Sequence, residues 1–91
     1  MENFERKKTM LEFILIEENA KTVEYKYFPE GHEDFGIVRY NIENKTFEKI
    51  KIDTEHGEVP NYTPYATKMI SRIRQYAATG SYQKEGMIAW Y

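Results

Sequence analysis

The chain has 91 residues, no Cys and a formal net charge of −2, with 15 Asp or Glu against 13 Lys or Arg. That length holds one domain with one continuous core. The lack of Cys excludes disulfides, thiolate zinc centres and thiol nucleophiles, and an acidic pI near 5.7 lacks the basic surplus that draws phosphate backbones or anionic lipid.

Residues 1–8 are polar and unpatterned apart from Phe4, and are expected to form a loose N-terminal arm preceding one domain over 9–91. Arg6-Lys7-Lys8 before Met10 to Ile16 has the charge order of a signal peptide. Glu12 interrupts the apolar run, however, and no small-residue cleavage site follows, so the expected location is the cytoplasm with no membrane span. Thr9 to Glu17 and Thr22 to Phe28 are rich in β-branched and aromatic residues around the turn-like Glu18-Asn19-Ala20-Lys21, which predicts a hairpin. In its second strand Val23, Tyr25 and Tyr27 alternate with Glu24 and Lys26, the period of a sheet with one wetter face.

Pro29 to Asp34 breaks the chain into an acidic, exposed loop. Phe35 to Ile42 predicts a third strand, with Val38, Tyr40 and Ile42 on one face. Glu43-Asn44-Lys45 turns into a fourth strand, Thr46 to Ile52, in which Ile50 and Ile52 alternate with Lys49 and Lys51. After a second polar loop, 53–61, the period changes to 3.6. Tyr62, Tyr65, Ala66, Met69, Ile70, Ile73, Tyr76 and Ala77 mark one face of a helix with Thr63 as N-cap, Pro64 at its first position and Gly80 at its end. Gly86 to Tyr91 predicts a last short strand. The fold class that follows is α+β: a four-stranded antiparallel meander, one helix across a face, and a fifth strand beside the first, in order 5-1-2-3-4.

The stretch EDFGIVRY, from Glu33 to Tyr40, has the outline of an RNA-reading strand. Glu33 stands where that motif needs a cation for phosphate and Ile37 where it needs an aromatic to stack a base, so no nucleic-acid partner is expected. Phosphate-binding glycine loops and serine-nucleophile elbows are absent. An up-down meander puts the loops 29–34 and 53–61 at one end of the sheet, which gathers Glu30, His32, Asp34, Asp53, Glu55, His56 and Glu58. Imidazoles and carboxylates are the donors that zinc or another divalent ion accepts, and they also do acid–base work. His32, Asp34, Asp53, His56 and Glu58 are therefore the metal candidates, against the plainer reading of turn chemistry and solvation.

Lys68, Arg72 and Gln75 lie along one polar flank of the helix, with Arg74 partly aside, the ordinary pattern of a solvated face. The Tyr set reads as core, and the sole Trp, Trp90, as an anchor docking the last strand. Together, YKYFPEGHEDFG, the strand pair after it, YTPYATKMISRI and EGMIAWY resemble a group of small proteins of Gram-positive bacteria. These share a Tyr-rich strand, a Pro-Glu-Gly loop and a Trp-Tyr end. The resemblance spans most of 10–91 and implies the same element order. The group has no established activity, so the resemblance implies no catalytic residue and no cofactor. Two function classes follow: a non-catalytic module that binds a protein partner or itself as a homo-oligomer, and a small metal-dependent or acid–base site on the two loops.

Overall fold

The computed structural model describes residues 9–90, so the expected N-terminal arm and Tyr91 lie outside the described residues. The elements run β1 (Thr9–Glu18), β2 (Thr22–Pro29), β3 (Gly36–Asn41), β4 (Thr46–Lys51), a single 3-10 turn (Thr54–His56), α1 (Pro64–Thr79) and β5 (Glu85–Trp90). All pairings are antiparallel, in the order β4-β3-β2-β1-β5, which is the predicted order. No helix among the described residues is long and apolar enough to cross a membrane.

The hairpins are closed by side chains suited to turns. Asn19 Oδ1 accepts from the N–H groups of Lys21 (2.8 Å) and Thr22 (2.9 Å), and Asn41 Oδ1 accepts from that of Asn44 (2.9 Å). One face of the sheet supplies Leu11, Phe13, Val23, Tyr25, Tyr27, Val38, Tyr40 and Ile88. Over them α1, lying across β2 and β3, lays Ala66, Met69 and Ile73. Within this core Phe13 and Tyr25 meet edge to face, with centroids 5.5 Å apart at 79°. Gly36 has a packing reason to be glycine, since a Cβ there would overlap the Tyr27 ring.

The faces of the fourth strand are set by its pairing. A register shift between Ile37 and Val38 sets Val38 opposite Lys49 and Tyr40 opposite Phe47, so Phe47 packs on the core and Ile50 is exposed. Lys49 instead turns over the edge towards the helix, where its Nζ donates to Thr63 Oγ1 at 3.0 Å. The open face of the sheet holds Ile14, Met87, Phe28 and a cation-flanked ring: Lys26 and Lys51 place their Nζ atoms 4.2 and 4.3 Å from the Phe35 centroid.

Candidate functional site

The two loops predicted to share an end do meet, and more closely than strand spacing alone requires. The His32 and His56 rings lie 4.5 Å apart, centroid to centroid. Asp53 opens the 3-10 turn by accepting the Glu55 N–H on Oδ1 at 3.1 Å, and Gly57, at φ 89°, ends it in the left-handed region. The turn folds the chain back so that Glu58 points inward and His56 lies over Asp53, with Nδ1 and Oδ2 2.8 Å apart. A carboxylate only accepts, so the hydrogen of this bond sits on His56 Nδ1.

In the loop expected to be exposed Pro29 is buried and Glu30 half-buried, and in the second loop two carboxylates are fully buried. Asp53 and Glu58 are 1% and 0% accessible. Glu58 collects four donors. Oε1 accepts from the Tyr27 hydroxyl (2.5 Å) and the Asp53 N–H (3.0 Å), and Oε2 from the N–H groups of Tyr65 and Ala66 (both 2.9 Å). Four donors fill the lone-pair positions of a carboxylate. They also show that the cap of α1 comes from outside the helix. Thr63 occupies the N-cap position without a side-chain cap bond, while Glu58 satisfies the second and third helical N–H groups and sets a negative charge against the positive end of the helix.

Glu30 ties the other loop in. Its Oε2 accepts from the Tyr65 hydroxyl at 2.8 Å and from the Met10 N–H at 3.3 Å, and its own N–H donates to the Met10 carbonyl at 2.8 Å. Burial, then the bond to Glu58, pushes the Tyr27 phenol well above its ordinary value. Burial and Glu30 push Tyr65 up to about 12. Of the predicted donors, the fold thus brings together His32, His56 and Asp53, commits Glu58 to the helix start, and leaves Asp34 exposed with no side-chain hydrogen bond. Among the described residues no three His, Asp or Glu side chains converge as a metal site does. What remains chemically available is a half-buried imidazole oriented by a buried carboxylate, beside a second, exposed imidazole.

The two edges of the sheet form a second candidate region and differ sharply. At β4, the register shift, Lys49 reaching over one face and Lys51 over the other make a poor template for a further strand. β5 pairs with β1 without any register shift and has neither Lys nor Pro between Glu85 and Trp90. Its bonding direction follows from its neighbours. The Leu15 N–H donates to the Lys84 carbonyl and the Glu30 N–H to the Met10 carbonyl. Odd residues of β1 therefore bond towards β5 and even ones towards β2. In β5 this turns Lys84, Gly86, Ile88 and Trp90 inward to β1. It leaves the N–H and C=O groups of Glu85, Met87 and Ala89 facing outward, where no described strand pairs with them.

Trp90 docks as predicted, half-buried, its ring 5.8 Å from that of Tyr65 and under Lys68 Nζ at 5.1 Å. The capping role of Glu58 and the contrast between the edges have no local sequence signal, because both depend on which distant residues become neighbours. Compared with known protein families, with curated proteins and with solved structures, the chain matches none.

Proposed function

We propose that this chain is a non-catalytic, cytoplasmic association module that accepts an extended protein strand along β5. The observation that carries the reading is the asymmetry of the edges: β4 is blunted by lysines and a register shift, whereas β5 offers outward backbone groups at Glu85, Met87 and Ala89 with no Lys, Pro or register shift. Met87, 54% exposed, lies on the open face of that edge, with Ile14, 41% exposed, diagonal to it on β1. A thioether and a branched aliphatic give an added strand adaptable apolar contacts beside the backbone bonds. The absence of Cys accords with a reducing compartment.

The test is amide hydrogen exchange on the dilute protein with a synthetic peptide copying residues 84–90 as probe. Saturating peptide should slow exchange at the Met87 and Ala89 amides, while the inward amides, already bonded to β1, change little. Unchanged exchange at the outward amides would overturn the reading.

A second reading rests on the His56–Asp53 pair at 2.8 Å with His32 alongside: a proton-handling or divalent-metal site on the paired loops. It requires that His56 Nε2 and His32 act on the same ligand.

A further inference from the structure

We infer that the strand seated on β5 is the β5 strand of a second copy, paired antiparallel about a two-fold axis through Met87. The inference rests on the reading of β5 as an accepting edge and goes on to name the occupant and its register.

A two-fold axis perpendicular to a sheet keeps each face on its own side, and directly opposed residues in an antiparallel pair project to the same face. The axis must then pass through a residue and not between two. Centred on Met87, all three outward positions bond: Met87 exchanges both hydrogen bonds with the partner's Met87, and Glu85 and Ala89 do so with the partner's Ala89 and the partner's Glu85. Centred one residue later, only Met87 and Ala89 find described outward positions opposite them. The side chains suit the first register. Glu85 faces the partner's Ala89, so no like charges meet. Met87 lies beside the partner's Met87 on the open face, with Glu12 of its own copy directly across β1 and the exposed Ile14 diagonal to it. On the core face Gly86 comes opposite the partner's Ile88. Gly86 is bare there because the Phe13 ring rests over it: a Cβ would stand 2.7 Å from Phe13 Cζ. A side chain at 86 would disturb both Phe13 and the incoming Ile88. α1 lies over β2 and β3 and packs on β5 at Trp90, through Tyr65 and Lys68. The result is one continuous ten-stranded sheet.

The experiment combines sedimentation equilibrium with single-cysteine cross-linking, which the Cys-free chain allows without background. Met87→Cys sets two thiols on the axis at a Cα separation of about 5.5 Å, within disulfide reach, whereas Glu85→Cys or Ala89→Cys separates like thiols by roughly 14 Å along the strands. The expected result is a concentration-dependent dimer that oxidises readily to a disulfide in the Met87→Cys variant and not in the Glu85→Cys or Ala89→Cys variant. Met87→Pro should abolish the dimer, since it removes an outward N–H and no bond to β1. Met87→Lys, which sets two ammonium groups against each other on the axis without touching the backbone, should weaken it at least about tenfold.

Preferential cross-linking of the Glu85→Cys or Ala89→Cys variant would overturn the register. A dimer indifferent to both Met87→Pro and Met87→Lys would overturn the edge as its site. A chain that stays monomeric at all concentrations yet still protects its outward amides with the peptide would overturn the second copy alone, leaving the accepting edge standing.

Discussion

At the start of α1 each backbone N–H has a destination: Pro64 has none to place, Tyr65 and Ala66 donate to Glu58, and Thr67 donates to the Thr63 carbonyl. Along β5 the same groups on Glu85, Met87 and Ala89 face outward. The two regions stand at opposite limits of how a small fold treats its polar backbone. The loop end is closed by a buried carboxylate reaching across from a loop, and no described buried side-chain nitrogen or oxygen lacks a partner. The β5 edge keeps its bonding capacity unspent. Groups that are satisfied internally hold the fold, and groups left over are what remains for a partner.

Removing the closing group has the largest expected effect. Glu58→Ala strands three backbone N–H groups and the Tyr27 hydroxyl in a dry site, and should destabilise the protein by about 4 kcal/mol in urea unfolding. Thr63→Ala, at the nominal cap, removes only the bond from Lys49 and should cost under about 1 kcal/mol. A Glu58→Ala protein as stable as the parent would make Glu58 a solvated loop residue after all.

Alkaline pH acts on the loop end and its core, where the buried tyrosines lie. Tyr27, Tyr25 and Tyr65 have their phenol values raised by burial first, with hydrogen bonding to Glu58 and Glu30 adding to it for Tyr27 and Tyr65. A raised phenol holds its proton in the folded state where the unfolded chain has released it. Its contribution is therefore complete below pH 10 and declines as pH rises from there towards the folded value. Stability should fall above pH 10 by up to about 1.4 kcal/mol per pH unit for each fully buried phenol. Tyr27→Phe should flatten that slope, and a parent melting temperature unchanged from pH 9 to pH 11 would contradict the buried network.

The smallest effects separate the two histidines. His56→Ala leaves the buried Asp53 Oδ2 without its partner and should cost about 1 to 2 kcal/mol, whereas the exposed His32→Ala should stay within about 0.5 kcal/mol. Under the association reading, zinc or manganese leaves the melting temperature where it was. A saturable rise of about 2.7 kcal/mol at a hundredfold excess over Kd, lost in the double His variant, would put the loop-end site first.

The alternation of Val23, Tyr25 and Tyr27 and the helical spacing of Ala66, Met69 and Ile73 were legible because a repeated period outweighs any one position. Which side of β4 faces the core was not legible, for the opposite reason. The register shift opposite Lys51 and Lys49 comes from strand pairing, and a shift of one residue reverses which side chains point inward. Topology alone foretold that His32 and His56 share an end. That Glu58 turns inward was not legible, since its donors come from Tyr27 and the start of α1, and a carboxylate in a polar loop has the same local sequence whether it is solvated or capping.

The pairing of Thr9 with Trp90 sets the described ends of the chain side by side on adjacent antiparallel strands. Tension applied at these two points runs along the hydrogen bonds between β1 and β5 and not across them, so it loads the bonds one at a time and peels the strands apart like a zipper. A fold pulled in shear must break its ladder all at once; this one yields bond by bond, and β5 leaves first. The strand that would join two molecules is thus also the mechanically weakest part of each.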